Sequence, residues 1–398
     1  MAQLVWPWIL GDYVAESTAE WRRIAALVSE QHVGGVIVSV GSPTDVAVKL
    51  NALQRQSALP LLVSADLETG AGFRFRGSYF LPNAIDLILA SGDYRVGALA
   101  FGPTAERPER ITPWGDGDAP GEHFTLEELA EAAERAQHVD QLDENLRRLL
   151  TAGSSLGGAR PKAATEINGQ PWIAKFQARN DSFPECRVEL ATMRLAKDCG
   201  IDVPALDFKR VLERDIYLIE RFDRISHGNS LERRAFASGL TMLGAHESEV
   251  SRYSYADLAG ALRQHGTEVR RDLRELFRRM VFNILVTNDD DHLRNHGFLY
   301  DGKGWRLSPL YDVVPKPQVG LERRLVLGVG PQGRDATIAN ALAGAAGFNL
   351  GPEEAKAIVE EMRARVAAGW EEHFEHAGVN PADRGRFATC FRLASEES

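Results

Sequence analysis

The stretch Asn288-Asp289-Asp290-Asp291-His292-Leu293-Arg294-Asn295, followed by Ser308-Pro309-Leu310-Tyr311-Asp312, decides the reading of this chain. It offers an acidic side chain, an Asn five residues after it and a further Asp about twenty residues on. Phosphoryl transfer needs such a set: a carboxylate to orient a hydroxyl, and two oxygen ligands to hold Mg²⁺ against ATP. His292 and His296 stand four apart, the spacing of zinc ligands on a helix. Leu293 occupies the place of the HExxH glutamate, however, and the Asp, Asn and Gly residues around it favour a loop.

Within the acidic run, Asp290 is assigned as the base, because Asn295 then falls where the kinase pattern HRDxxxxN places its asparagine. Asn295 and Asp312 are the expected Mg²⁺ ligands. The same spacing makes Asp289 and Asp291 neighbours; three adjacent acids repel one another, and a solvated turn is the plainer alternative for the run. Upstream, Gly153-Ser154-Ser155-Leu156-Gly157-Gly158-Ala159-Arg160-Pro161-Lys162 combines small residues, which let backbone approach phosphates, with two cations. It matches neither GxxxxGK[ST] nor GxGxxG, and by itself reads as readily as a plain turn. Lys175, in Trp172-Ile173-Ala174-Lys175-Phe176, is expected on a strand with apolar flanks, poised to meet ATP phosphates. Glu189 begins the following helix beside the stripe Val188, Ala191, Thr192 and Leu195, and is its expected partner. A surface salt bridge is the plainer alternative for both. Tyr217 to Arg224 reads as a strand running into a charged linker, where a kinase hinge offers backbone to adenine. Arg270, Arg271, Arg274, Arg278 and Arg279 are interspersed with Glu268, Asp272 and Glu275, which suits a salt-bridged helix face better than a nucleic-acid site.

At 398 residues, two or three domains are expected. A 44% hydrophobic and 26% charged composition is that of a soluble globular protein, and the net charge of −10 argues against broad nucleic-acid binding by the chain alone. Cys186, Cys199 and Cys390 form no CxxC pair, which favours a reducing compartment. With neither a signal-like start nor a run of about 18 apolar residues, a cytoplasmic location is expected.

The order of elements reads as follows. Residues 1 to 80 suggest a βαβ segment: a helix near Ala19 to Gln31, a strand Val33 to Val40, a helix Thr44 to Gln54 and a strand Leu59 to Ala65. A helix at Leu81 to Leu89, a strand at Val96 to Phe101, a loop from Pro103 to Glu122 and a long amphipathic helix or helix pair from Leu126 to Leu150 come next. Strands at Trp172 to Phe176 and Ile216 to Glu220 enclose a helix Val188 to Lys197. Beyond Asp223 the pattern is almost wholly helical, including Tyr255 to His265, Arg271 to Val286 and Pro352 to Phe374.

Taken in order, the Ser154 to Lys162 loop, Lys175, Glu189, Glu220-Arg221-Phe222-Asp223-Arg224, Asp290 to Asn295 and Tyr311-Asp312 resemble the HipA family of bacterial serine/threonine kinases over roughly residues 81 to 390. The resemblance implies an α+β, bilobal, protein-kinase-like fold with a mixed α/β N-lobe and its N-terminal subdomain at 81–223 and an all-helical C-lobe at 224–398; the short α/β segment read above at 1–80 precedes it. It implies ATP and Mg²⁺ as cofactors. Gly157, Gly158, Ala159, Arg160, Pro161, Lys162, Lys175, Glu189, Glu220, Arg221, Phe222, His292, Arg294, Asn295, Tyr311 and Asp312 would form the nucleotide site, with autophosphorylation at Ser155 or Ser154. It also implies the toxin role of a type II toxin–antitoxin pair, with a small helix-turn-helix antitoxin as partner, DNA reached only through that complex, and an aminoacyl-tRNA synthetase such as glutamyl-tRNA synthetase as substrate. A catalytically idle partner of a repressor is the alternative. Residues 1 to 80 depart from that family: Gly34-Gly35-Val36-Ile37 and Pro60 to Glu68 resemble the start of the glycoside hydrolase family 3 barrel, with Asp66 at a sugar-contacting position but no counterpart of the remaining barrel or its nucleophile.

Overall fold

The computed structural model describes residues 7–10, 18–39, 43–58, 61–65, 95–99, 125–135, 162–178, 181–227, 230–317 and 322–395. The chain forms two compact units, one comprising residues 1–92, 101–120 and 138–154, the other residues 93–100, 121–137 and 155–398.

In the first unit, β1 (Trp8–Leu10), β2 (Gly35–Ser39) and β3 (Leu62–Ala65) form a parallel sheet in that order. Helices α1 (Ala19–Ser29) and α2 (Pro43–Gln56) make the crossovers that parallel pairing requires. Thr18 caps α1 by accepting the Trp21 N–H (3.2 Å). Trp21, Ile24 and Val28 recur at helical spacing and bury one face against Ile9, Val36, Val38 and Leu53. The expected helices and strands of this segment appear with ends moved by at most three residues. Asp66 lies outside the described residues.

The second unit carries the chemistry-bearing motifs. Helix α3 (Leu126–Arg135) opens with a reciprocal cap: the Glu128 N–H donates to Thr125 Oγ1 (3.2 Å) and the Thr125 N–H to Glu128 Oε2 (2.9 Å). Strands β4 (Lys162–Ile167), β5 (Gln170–Phe176), β6 (Leu206–Val211) and β7 (Arg214–Glu220) pair antiparallel in the order β4-β5-β7-β6. Helix α4 (Glu185–Asp198) follows β5 and packs on β6 and β7. It ends where Gly200 adopts φ +75° and the Ile201 N–H reaches back to the Ala196 carbonyl (3.1 Å), a Schellman closure.

Residues 96–99 form no strand. Gly97 sits at φ +75°, which a strand cannot hold, and its N–H donates to Asp223 Oδ2 (2.7 Å). The expected helix at Leu81 to Leu89, the loop from Pro103 to Glu122 and the part of the Leu126 to Leu150 helix beyond Arg135 fall wholly or largely outside the described residues.

The stretch after Asp223, expected to be all-helical, is largely helical but carries five short strands. A hairpin pairs β8 (Arg224–His227) with β9 (Ser230–Arg233), and β10 (Phe236–Ser238), β11 (Gly297–Tyr300) and β12 (Trp305–Leu307) form an antiparallel sheet. Strands of three or four residues hold too few side chains for a two-residue alternation to register in sequence. Helix α5 (Gly239–Met242) is a single turn; α6 (Tyr255–His265) starts with a Ser254/Asp257 capping box. Helix α7 (Val269–Leu285) buries Leu273, Leu276, Phe277, Met280, Val281 and Ile284, one continuous stripe. Short α8 (Ile338–Ala343), long α9 (Pro352–His376), α10 (Pro381–Phe387) and α11 (Arg392–Ser395) complete the unit. Helix α9 packs along α4, and their ends are joined by His373 Nε2 at 2.8 Å from Asp198 Oδ2. No described helix is long and apolar enough to cross a membrane.

Candidate active site

Alternation along β5 puts Ala174 and Phe176 on one face and Lys175 on the other. On that second face, antiparallel register sets Lys162 of β4 and Tyr217 of β7 directly opposite Lys175, whose ammonium lies 5.9 Å from the Tyr217 ring centroid. Helix α4 brings Glu189 to the same place. The Lys175 Nζ sits 2.6 Å from Glu189 Oε1 and 2.6 Å from Asp312 Oδ1. Lys175 and Glu189 are buried, whereas the Asp312 side chain is 39% exposed.

Burial lowers the pKa of Lys175, but Asp312 and Glu189 outweigh it, so the pKa is raised and the cation is favoured. Burial pushes the Glu189 carboxyl upward against the pull of Lys175. Burial acts on Asp312 in the same sense, yet Lys175, Lys162 and His292 together hold it well below the ordinary carboxylate range. The cluster is therefore a cation clamped between two carboxylates, one inside the fold and one facing outward. The partnership of Lys175 with Glu189 was legible in the sequence. The direct contact with Asp312 was not, because it joins residues 137 positions apart.

The acidic loop begins where α7 ends. Thr287 takes φ +56°, and the Asn288 N–H returns to the Asn283 carbonyl (2.9 Å), turning the chain out of the helix. The three aspartates then have different surroundings. Asp291 is buried, accepts the Val326 N–H at 2.6 Å, and burial raises its pKa to about 7. Asp290 points outward with its side chain 55% exposed, while the Asn295 amide donates to its backbone carbonyl (2.8 Å). Asp289 and Asp290 both face the ammonium of Lys316, at 3.3 and 3.7 Å.

His292 precedes a 3-10 turn, Leu293–Asn295, and its Nδ1 is enclosed with no hydrogen-bond partner. His296 is buried edge-on against Tyr255 with Nε2 3.3 Å from the Asp291 carbonyl oxygen, and burial lowers its pKa to about 3. The two rings thus flank a tight turn rather than share a helix face. Among the described residues no group of three or more His, Cys, Asp or Glu side chains is arranged around a common metal position. The Mg²⁺ ligands expected from sequence are an amide oxygen and a carboxylate, hard donors that suit the ion. Asn295 uses its amide nitrogen on Asp290, which leaves Oδ1 as acceptor, and the Tyr311 hydroxyl donates to the Arg294 carbonyl (2.7 Å), tying the segments that carry Asn295 and Asp312 together.

The linker after β7 divides by role. The Glu220 and Arg221 N–H groups are taken up by the Ala205 and Pro171 carbonyls, both at 2.9 Å. The Arg221 side chain is buried in a fork on Asp223 (3.0 and 2.9 Å), and Arg221 and Arg224 also donate to the Arg95 carbonyl. Phe222 instead lies between Tyr311 (ring centroids 5.7 Å) and Phe236 (6.3 Å). An aromatic shelf beside the acidic loop results. Sequence reading missed Phe236, Lys316 and Arg95, which lie outside any motif. Ser154, Ser155, Gly157, Gly158, Ala159, Arg160 and Pro161 lie outside the described residues, and Lys162 opens β4.

An antiparallel sheet that pairs its lysine with a helix glutamate, joined to a largely helical part bearing an Asp–Asn loop and a further aspartate, defines a protein-kinase-like fold. The model of the HipA-like C-terminal domain matches residues 154–370, more than half of the chain. The chain belongs to this HipA-like family. A Haemophilus influenzae protein named "Putative kinase" is 27% identical over 42% of this chain and 55% of its own length. "Putative kinase Y4mE" of Sinorhizobium fredii is 27% identical over 55% of this chain and 56% of its own. The chain thus spans about half the length of the curated relatives it matches. Among solved structures, HipA of Shewanella oneidensis MR-1, in complex with HipB and operator DNA, superposes with a TM-score of 0.49 and 19% identity over 60% of this chain and 63% of that one.

Proposed function

We propose that this chain is an ATP- and Mg²⁺-dependent protein serine/threonine kinase, the toxin of a type II toxin–antitoxin pair. The observation that carries this reading is the Lys175 ammonium held 2.6 Å from both Glu189 and Asp312, with Asp290 and Asn295 on the adjoining loop. Family membership and relatives named as kinases support it.

Lys175 contacts the donor phosphates, with Glu189 and the sheet fixing its position. Asn295 and Asp312 would hold Mg²⁺, which neutralises phosphate charge when bound. Phe222 and Tyr311 offer an apolar shelf to a purine, and Lys162, His292 and Arg294 add positive or polar groups along the phosphate side. Asp290 orients the attacking hydroxyl and accepts its proton. The loop from Gly157 to Lys162 covers the nucleotide, and Ser155 or Ser154 is the site of autophosphorylation. A phosphate there adds roughly two negative charges beside the donor site and disfavours ATP. The protein substrate is a translation component, an aminoacyl-tRNA synthetase such as glutamyl-tRNA synthetase, and a small helix-turn-helix antitoxin binds the kinase.

Incubating wild type and Asp290→Ala with γ-labelled ATP tests the activity. Label on wild type or an added protein acceptor, and none with the variant, is the expected outcome. Equal labelling removes Asp290 from its role, and nucleotide binding without transfer by wild type replaces the kinase with an idle binding partner. Growth arrest on expression, relieved by a co-expressed neighbouring helix-turn-helix protein, tests the toxin role.

A further inference from the structure

Asp312-Val313-Val314-Pro315-Lys316 carries a charge at each end. At the first end Asp312 meets Lys175; at the other, the Lys316 ammonium stands 3.3 Å from Asp289 Oδ1 and 3.7 Å from Asp290 Oδ2. Its backbone is fixed against the acidic loop, for the Lys316 N–H donates to the Thr287 carbonyl (3.0 Å). Thr287 is anchored in turn: its hydroxyl donates to the Cys390 carbonyl (2.7 Å) and accepts from Arg323 Nη1 (2.9 Å). The lysine stem therefore starts from a rigid point.

The loop it faces has an electrostatic problem. Asp291 is turned inward onto the Val326 N–H; Asp289, whose Oδ1 is enclosed, and Asp290, whose side chain is exposed, set neighbouring carboxylates against the same ammonium, and adjacent like charges push apart. A carboxylate that must meet a hydroxyl cannot drift, since a misplacement of about 1 Å costs up to ~100-fold in rate. Lys316 is a cation set against both.

We propose that Lys316 is a positioning residue for phosphate transfer, drawing the Asp290 carboxylate against the repulsion of Asp289 and holding it toward an entering serine or threonine hydroxyl. This rests on the reading of Asp290 as base. In the step itself the hydroxyl oxygen bonds to the γ-phosphorus, the bond to the bridging β–γ oxygen breaks, ADP leaves with that electron pair, and the hydroxyl proton passes to Asp290.

Single-turnover transfer from labelled ATP by the full chain, comparing wild type, Lys316→Met, Lys316→Arg and Asp290→Ala, tests it. Lys316→Met is expected to slow transfer ~10-fold at saturating ATP, with an unchanged ATP affinity and melting temperature, and Lys316→Arg to restore most of the rate. Raising the salt should slow wild type more than Lys316→Met, because the ion pair is partly exposed. Wild-type rates in Lys316→Met beside an inactive Asp290→Ala overturn the positioning role and leave the kinase standing. Parallel losses of ATP affinity, or no rescue by arginine, overturn it as well. Equal transfer by Asp290→Ala and wild type overturns the kinase reading and this inference with it.

Discussion

Two lysine–carboxylate clusters sit in the same unit, and they are built on opposite terms. Lys175, Glu189 and Asp312 gather around one ammonium at 2.6 Å on both sides, with Lys175 and Glu189 sealed from water. Lys316, Asp289 and Asp290 meet at 3.3 and 3.7 Å with half of the lysine and Asp290 side chains exposed. A buried pair is costly to break, because removing one partner strands a charge where water cannot reach it. An exposed pair contributes about 0–1 kcal/mol and is screened by salt. The buried cluster thus fixes the position of the Lys175 ammonium, whereas the exposed one leaves the Asp290 side chain open to solvent.

That contrast is most severely tested by Glu189→Gln. The substitution should cost about 3 kcal/mol of unfolding free energy in urea, at the lower end for a broken buried pair because Asp312 still faces the lysine. A loss below about 1 kcal/mol would place the buried cluster in the same class as the exposed one.

Asp291 sharpens the comparison by pH. Its folded pKa of about 7 lies above the ordinary carboxylate value, so its stabilising effect is complete below about pH 4 and is lost as pH rises through 7. His296, held near 3, acts oppositely: its effect is complete above about pH 6.5 and is lost as pH falls toward 3. Between about pH 4 and 6.5 the two cancel in wild type. Asp291→Asn leaves the histidine unopposed, so stability relative to wild type should climb with pH by up to about 1.4 kcal/mol per unit in urea titrations at pH 4.5 and 6.5. Parallel curves would mean that Asp291 is ionised in the fold.

Arg187 tests what keeps Glu189 in place. Its guanidinium forks onto Asp215 of β7 at 2.5 and 2.9 Å and reaches the Ala377 and Gly378 carbonyls beyond α9, both at 3.3 Å. Arg187→Ala should cost about 1–2 kcal/mol, measured by thermal unfolding. The smallest effect belongs to Asp290→Ala, within about 0.5 kcal/mol of wild type in the same assay. A cost comparable to Glu189→Gln would make Asp290 a structural residue.

Much of this site was legible because its motifs are local. The strand alternation around Lys175, the stripe beside Glu189 and the five-residue step from Asp290 to Asn295 are all read within a few residues. The inward turn of Asp291 was not, since it depends on the Val326 N–H, 35 positions away. Lys316 escaped for the same reason: an isolated lysine after Pro315 carries no pattern until the Thr287 turn brings it to the acids. The hinge reading was local too, but a sequence cannot show that the Glu220 and Arg221 N–H groups are already committed to neighbouring carbonyls. The short strands after Asp223 were lost to their length, and the Val96 to Phe101 strand to the glycine within it.

The division of labour between the clusters is tested most directly by measuring ATP affinity and single-turnover phosphate transfer together in Asp290→Asn. The account predicts ATP binding within about twofold of wild type and transfer slowed by about 100-fold or more, the usual contribution of a general base. Transfer at the wild-type rate, or a rate that falls only in step with ATP affinity, would contradict it.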